Sequence, residues 1–328
     1  MGILSSSQVS GRPFRLALDA SLATVADAMN YSQFDPTATS PSAGWGGVYD
    51  DDFAVGFRPG TFFQVGRAVV VAEDDLKPHR LRARFYWMHA NTMRKRSQPG
   101  DDITDWRTQH VLRAADVLLY EEREGSVTGL VTARDNASFR SATDALGAVA
   151  LSVSDRVNLT FDTNEELIPE DLFLWLVYLL QGREAISDNL HLSAITELSS
   201  KDRNLRPAKF GESATLERVE LAALIALGKA SFGPAKFALD VSSPSLAADV
   251  QLYPDGGFQA FRSSLYDEEP AHFDGTDQAL CLFDDIWVRI LPELRAAHRA
   301  DEQWDQRGRA VLRHEALEQV RVLLRFEQ

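Results

Sequence analysis

Alternating apolar and polar residues predict β-strands in both halves of the chain. Near the start, Phe14, Leu16 and Leu18 recur at every second position, which is the period of a strand with one buried face. Three pairs of strand-like segments each flank a polar or Gly- and Pro-rich turn: 67–72 with 81–87, 117–120 with 127–131, and 249–253 with 258–263. Turn residues between two such segments are typical of antiparallel hairpins. The pattern therefore predicts three hairpins.

Apolar residues at three- and four-residue spacing predict helices, most of them after residue 165. One begins at Pro169 and runs through Gln181, one is capped by Ser213 or Thr215 and ends at Gly228, and two span 280–294 and 311–326. Along 280–294, one stripe is expected to be buried: Leu280, Phe283, Trp287, Ile290 and Leu294. Pro292 is expected to kink that helix, because proline lacks the N–H that an interior turn needs.

These elements predict an α+β fold, with antiparallel hairpins in both halves and helices concentrated after residue 165. We expect two domains. A β-rich domain over 1–155 carries a long loop at 29–60, and an α+β domain over 156–328 ends in amphipathic helices. Residues 116–120 resemble residues 249–253, and each segment opens a hairpin. This match hints at an internal duplication, although matches this short also arise by chance.

Composition points to a cytoplasmic protein. Cys281 is the single cysteine and lies in an apolar run, so we expect a buried thiol and no internal disulfide. The longest apolar run, 172–180, has nine residues, about half of the roughly 18 that a membrane span needs. The first sixteen residues lack a secretory signal pattern. We therefore expect a core segment at 172–180 and no membrane span.

Charge is unevenly distributed along the chain. The formal net charge of −14 disfavours nonspecific coating of nucleic acid, because the mean field of the chain repels a polyanion. Segment 265–285 carries seven acidic residues and no Lys or Arg, whereas segment 80–96 carries six basic residues and no acid. Screening limits each field to about 10 Å, so a basic patch can act locally.

The basic patch is the strongest functional signal. Strand alternation sends Arg80, Arg82 and Arg84 to one face, expected to be the solvent face, where Tyr86 offers a stacking surface. The candidate nucleic-acid-binding residues are Arg80, Arg82, Arg84, Tyr86, Arg94, Lys95, Arg96, Lys201, Arg203, Arg206 and Lys209. Rows of this kind bind phosphate backbones. The alternative is that the arginines pair with acids such as Glu73, Asp74 or Asp75.

Signatures of catalysis are weak. The chain has no phosphate-binding loop, no dinucleotide-binding glycine motif and no cysteine-based zinc motif. Glu197 and Lys201 follow an apolar strand and could serve a metal-dependent nuclease, although an ion pair across a helical turn explains them equally well. Three acidic sets are interpreted as solvated turns: His272 with Asp274, Asp50 to Asp52, and Asp101, Asp102 with Asp105. We expect no metal site and no cofactor.

The sequence favours a non-enzymatic subunit of an intracellular assembly. Such a subunit would bind another protein and contact nucleic acid or another polyanion through the basic surface. One alternative is a metal-dependent nuclease or phosphodiesterase. A second is a subunit that contacts only proteins, through its acidic stretch and its C-terminal helix.

Overall fold

A computed structural model describes most of the chain, which divides into two compact units. The described residues are 8–35, 38, 43–46, 67–74, 77–90, 110–123, 126–161, 167–182, 185–202, 206–211, 214–243, 245–267 and 278–326. The N-terminal unit is Ser10–Glu165, and the C-terminal unit is Glu166–Gln328 together with Met1–Val9. The two domains expected from the sequence, 1–155 and 156–328, stay a prediction.

In the residues that the structure describes, the N-terminal unit combines strands with two helices. The strands are β1 (Gln8–Leu18), β2 (Gly44–Trp45), β3 (Val69–Val71), β4 (Arg80–Ala90), β5 (His110–Arg123), β6 (Ser126–Val131) and β7 (Val157–Thr160). The helices are α1 (Leu22–Tyr31) and α2 (Asn136–Val153). Each helix begins with a side-chain cap, because Ser21 Oγ accepts from Thr24 N at 3.2 Å and Asp135 Oδ1 accepts from Ser138 N at 2.8 Å.

The sheet of the N-terminal unit is antiparallel, in the order β2-β4-β5-β6-β1, with β3 paired to β4 and β7 paired to β1. Two predicted hairpins are confirmed here. Val69 pairs with Arg82 in the first, and Val117 pairs with Val131 in the second. The predicted loop at 29–60 is wrong in its first residues, because α1 continues through Tyr31. Most of the remainder lies outside the described residues.

The core of the N-terminal unit lies between the sheet and its two helices. Leu22 and Met29 of α1 and Leu146 of α2 pack with Phe14 and Leu81 of the sheet. The opposite face of the sheet is also withdrawn from solvent, because the β5 and β6 side chains on that face are buried. They include Asp116, Leu118, Tyr120 and Leu130. Both faces of this sheet are therefore buried at its centre.

The C-terminal unit has a second antiparallel sheet and most of the helices. Its strands are β8 (Leu190–Lys201), β9 (Pro207–Gly211), β10 (Ser231–Val241), β11 (Leu246–Leu252), β12 (Phe258–Phe261) and β13 (Leu265–Tyr266). Its helices are α3 (Glu170–Leu179), α4 (Val219–Leu227), α5 (Gln278–Asp285), α6 (Leu291–Ala300) and α7 (Arg309–Phe326). Two π-helical turns occupy Ile286–Ile290 and Trp304–Gly308. The strand order is β12-β11-β10-β8-β9, with β13 paired to β11.

The apolar run at 172–180 forms the centre of this unit, as the sequence predicts. Its side chains in α3 are buried, except for half-buried Leu174 and Leu180, and α3 packs on β8 and β10. The third predicted hairpin is confirmed as β11 and β12, whose turn is closed by a hydrogen bond from Tyr253 N to Gly257 O at 2.9 Å. The two hairpins that resemble each other in sequence each contain an equivalent hydrogen bond, from the backbone N–H of an aspartate to a hydroxyl oxygen. Asp116 N donates to Thr132 Oγ1, and Asp249 N donates to Ser264 Oγ.

The predicted helix at 280–294 is present, but it is interrupted by a π-helical turn. That turn immediately precedes α6, and Leu291 N donates to Ile286 O, a five-residue step. The wider turn therefore ends two residues before Pro292, close to the expected kink. Cys281 is half-buried, which corrects the expectation of a fully buried thiol.

The structure confirms the α+β fold class. In the described part of the chain, no helix is both long enough and apolar enough to span a membrane.

The buried stripe along α5 and α6 predicts a large loss of stability for Trp287→Ala. Trp287 is 7% exposed and stacks on Phe258, with ring centroids 6.4 Å apart. Truncation leaves a cavity, so the free energy of unfolding should fall by about 3–5 kcal/mol. Urea denaturation measures the loss. Leu317→Ala on the exposed face of α7 is the control, and a similarly small effect of both variants would contradict this packing.

Candidate functional site

The arginine row of β4 lies on the buried second face of the N-terminal sheet. Arg80 is 6% exposed, and its partner across the strands is the buried Tyr120. Arg82 is half-buried opposite Leu118, and Arg84 lies opposite Asp116. The expectation that this row faces solvent is therefore wrong. Alternation assigns side chains to two faces of a sheet, but it does not show which face the rest of the chain covers.

Arg84 and Asp116 form a buried ion pair. Arg84 Nε donates to Asp116 Oδ1 at 2.7 Å, and Asp116 is 0% exposed. Burial lowers the pKa of Arg84, but the charge and hydrogen bond of Asp116, together with contributions from Tyr86, raise that pKa by more, so the guanidinium stays protonated. Asp116 N also donates to Thr132 Oγ1 at 2.8 Å. The pair therefore anchors β4 to β5.

Arg80 and Tyr86 are also engaged within the fold. Arg80 Nη2 lies 3.2 Å from Asp74 Oδ2, and Arg80 Nη1 donates to Pro78 O at 3.2 Å. Pairing with Asp74 is the alternative that the sequence left open. Tyr86 is 1% exposed, and its ring packs against Phe34 with centroids 5.3 Å apart. The expected stacking face is therefore covered. Contact between this row and nucleic acid stays a prediction, and it would require breaking these contacts.

The second basic stretch differs from the first because its described cations are exposed. Lys201 ends β8, Lys209 lies on β9, and Arg206 lies in the connection between the two strands. The side chain of Lys209 is 64% exposed, although its Nζ lies 2.7 Å from Glu197 Oε2. Arg203 lies outside the described residues, as do Arg94, Lys95 and Arg96.

Glu197 takes part in a ladder of alternating charges on the open face of the C-terminal sheet. Lys209 of β9 pairs with Glu197 of β8, whose register partner on β10 is Lys236. Lys236 Nζ in turn lies 3.1 Å from Asp249 Oδ2 on β11. Cross-strand pairs of opposite charge stabilise sheets. Because the ladder is neutral, Lys201 and Arg206 are the described cations outside it at the end of the β8–β9 hairpin, where Asp202 supplies one negative charge and accepts from Arg206 N at 2.9 Å.

The ladder also corrects the interpretation of Glu197 and Lys201 as an ion pair across a helical turn. Both residues lie on strand β8, where four residues span about 13 Å, and the ion pair of Glu197 is with Lys209. Across the described residues, no three His, Cys, Asp or Glu side chains converge in a way that could hold a metal ion. The acidic sets at 50–52, 101–105 and 272–274 lie outside those residues.

Asp171 is the polar centre of the helices in the C-terminal unit. It accepts from Trp304 Nε1 at 2.7 Å and from Arg309 Nη2 at 2.9 Å, and His298 Nε2 lies 3.2 Å away. Arg309 Nε lies 2.8 Å from the other carboxylate oxygen, so the guanidinium binds as a fork. One side chain near the start of α3 thus holds α6, the second π-helical turn and α7.

These contacts also change the acidity of Asp171. Partial burial raises the pKa of Asp171, but the hydrogen bonds from His298, Arg309 and Trp304 lower that pKa by more, so it lies well below its ordinary value of 3.8. Sequence reasoning missed this role. An acid in the first turn of a helix is common because it complements the helix dipole, so Asp171 carried no distinguishing signal.

Trp304 is fully buried inside the π-helical turn, beside two pockets. A Cβ atom at Gly308 would lie 2.6 Å from Trp304 Cε3, so only glycine allows the ring to pack against this backbone. Trp304 N donates to Asp301 Oδ1 at 2.9 Å, and the other carboxylate oxygen of Asp301 accepts from Trp175 Nε1 at 2.8 Å. Trp304 and Arg309 line the first pocket, and Asp301 and His191 line the second.

The comparisons with known proteins give no further guidance. No protein-family model matches the sequence, and no curated protein does. The candidate sites therefore rest on the geometry alone.

The buried pair in the N-terminal unit predicts that Arg84→Gln is destabilising. The change leaves the buried carboxylate of Asp116 without its counter-charge, so the free energy of unfolding should fall by about 3–5 kcal/mol. Arg140→Gln on the exposed face of α2 is the matched control and should alter stability by no more than about 0.5 kcal/mol. Chemical denaturation compares the two. Equal, small effects would show that the pair is not an anchor.

The hydrogen bonds of Asp171 predict a pH-dependent effect of Asp171→Asn. Hydrogen bonds to a charged group contribute about 1.5–3 kcal/mol, so at neutral pH the variant should lose about 2–3 kcal/mol. Because the pKa of Asp171 is lowered in the folded state, this stabilisation is fully present above its unfolded pKa and is lost as the pH falls below that value.

The difference in unfolding free energy between parent and Asp171→Asn should shrink as the pH falls from about 5 to about 3. Denaturation curves across this range measure it. Asp305→Asn is the control, because Asp305 is exposed and contacts the same Arg309 at 3.3 Å. A difference that grew on acidification would contradict the assignment.

Proposed function

We propose that the chain is a non-enzymatic, cytoplasmic subunit of an assembly, and that it contacts nucleic acid or another polyanion through the basic end of the β8–β9 hairpin. The observation that carries this proposal is the exposure of Lys201, Arg206 and Lys209 together on one hairpin. Of the candidate binding residues that the structure describes, these three are the exposed ones. The proposed basic surface therefore contains fewer residues than the set predicted from the sequence.

The hairpin geometry favours joint action of these cations. Neighbouring strands lie about 4.8 Å apart, so side chains at the ends of β8 and β9 fall within one screening length of about 8–10 Å. Their fields add there, while most of the acidic charge of the chain is screened at longer range. Lys209 is partly neutralised by Glu197, which leaves Lys201 and Arg206 as the main contributors.

A purely structural role for the lysines is the competing explanation. β9 ends the strand order of its sheet, and lysines on edge strands discourage pairing with other chains. Such a role requires no polyanion. It predicts that removal of the charges promotes self-association, whereas the proposal predicts that removal weakens binding.

The test is the triple variant Lys201→Gln, Arg206→Gln and Lys209→Gln, with binding to single-stranded DNA measured across a salt series. Each lost phosphate contact should lower the slope of log K against log salt by about 0.7, and stability should change little. The matched control replaces three exposed cations elsewhere, Arg140, Arg156 and Arg299, by glutamine.

Weaker binding by the hairpin variant than by the control supports the proposal. Absence of detectable binding by the parent protein at about 50 mM salt would overturn it, because phosphate contacts are strongest at low salt. Equal loss in both variants would also overturn it, since that result reflects total charge alone. A subunit that contacts only proteins would then be the better interpretation.

A further inference from the structure

A small cavity lies among the helices of the C-terminal unit. Its volume is about 110 Å³. Its apolar lining comes from α3, α4, β10 and α7, through Leu174, Ile225, Phe232 and Leu312. An engineered cavity of about 150 Å³ lined by such residues holds benzene, so this cavity has room for a smaller apolar group. A branched aliphatic group of four carbons is of the appropriate size.

Among the charged residues that line the cavity, Arg313 is the one without an ionic partner in the described part of the chain. Asp171 and Arg309 both line the rim and neutralise each other through their two-point ion pair. Arg313 lies one turn further along α7, on the same face as Arg309, and it also lines the cavity. Within the described part of the chain, the guanidinium of Arg313 makes no hydrogen bond or ion pair. The rim can therefore accept a single anionic group.

Gly228 places that guanidinium at the rim. Gly228 ends α4 with a φ of 59°, in the left-handed region, and a Cβ atom there would lie 2.7 Å from Arg313 Nη2. A cation at this position also complements the negative end of α4. That contact accounts for a positive charge near Gly228, but it does not account for an apolar cavity beside it.

We propose that this cavity binds a carboxylate carried on a small branched aliphatic group. Arg313 pairs with the carboxylate, and the apolar lining encloses the branched group. The Asp171–Arg309 pair is neutral, so Arg313 offers a single positive charge, which a singly charged carboxylate balances better than a phosphate monoester. A neutral amide of the same shape would leave the guanidinium without a counter-charge.

This chemistry has two sources. One is a free branched-chain carboxylic acid, and the other is the free C-terminal carboxylate of a protein that ends in leucine. Both present the same group to Arg313. The probe for the first source is 4-methylpentanoate, with 4-methylpentanamide as the uncharged control. The probe for the second is a short peptide ending in leucine, compared with the same peptide amidated at its C-terminus.

The experiment is a calorimetric titration of the full chain with each probe, supported by saturation-transfer NMR. Arg313→Gln should weaken binding of the acid by about tenfold or more, since a charge-assisted hydrogen bond contributes roughly 1.5–3 kcal/mol. Arg307→Gln, an exposed cation of the neighbouring π-helical turn, is the matched control and should leave binding unchanged. Ala230→Leu should block binding by filling the cavity while it keeps Arg313.

The two probes distinguish a small-molecule ligand from the C-terminus of a partner protein. Binding of 4-methylpentanoate that depends on Arg313 and on an empty cavity supports a small-molecule site. Binding of the peptide alone, with the same dependence, supports the C-terminus of a partner. Absence of saturable binding of either probe below about 10 mM would overturn the proposal, as would binding that neither variant weakens. Thermal melting of each variant checks that loss of binding is not loss of fold.

Discussion

Pairing of the charges that folding removes from water is the constraint on which the rest of this structure depends. Asp116 is completely buried, and an isolated carboxylate in such a place is too costly to remain ionised. Arg84 supplies its counter-charge across the strands at 2.7 Å. Lys236 and Asp249 form a second cross-strand pair in the C-terminal unit, diagonal to the strands and in a more exposed setting. Each pair links two neighbouring strands, β4 with β5 and β10 with β11, and each removes its cation from the set that could bind a ligand.

The same constraint organises the helices of the C-terminal unit. Asp171 lies at the start of α3, and its carboxylate gathers donors from three later elements, including Trp304 and Arg309. This arrangement fixes the π-helical turn and orients the face of α7 that lines the cavity. Because Arg309 is already neutralised by Asp171, the charge that the cavity presents is that of Arg313. The electrostatics of the site thus follow from the contacts that hold the fold.

Local sequence signals were sufficient to predict three hairpins and most of the described helices, but not the β8–β9 hairpin. The turn at 254–257 and the glycine at 228 act over a few residues, so the chain itself indicates them. Helices α1 and α2 were not predicted, although their capping residues Ser21 and Asp135 are recognisable in the sequence. These caps show that local patterns also indicate the two helices that were not predicted.

The candidate sites were less predictable, because they depend on contacts between distant residues. The covered face of β4 is decided by the packing of the whole unit, so alternation within 80–87 could not show that Arg84 is buried. Asp171 and Arg309 are separated by more than a hundred residues, and neither lies in a recognisable motif. The exposed cations at Lys201, Arg206 and Lys209 were identified from sequence, but their exposure was not.

Chemical footprinting tests most directly whether a polyanion contacts the exposed cations of the β8–β9 hairpin. Lysine acetylation of the native protein, with and without single-stranded DNA at low salt, is quantified residue by residue by mass spectrometry. The account predicts protection of Lys201 and Lys209 and unchanged modification of Lys229, which is exposed elsewhere in the C-terminal unit. If bound DNA left the acetylation of Lys201 and Lys209 unchanged, or reduced that of Lys229 by the same factor, the account would be contradicted.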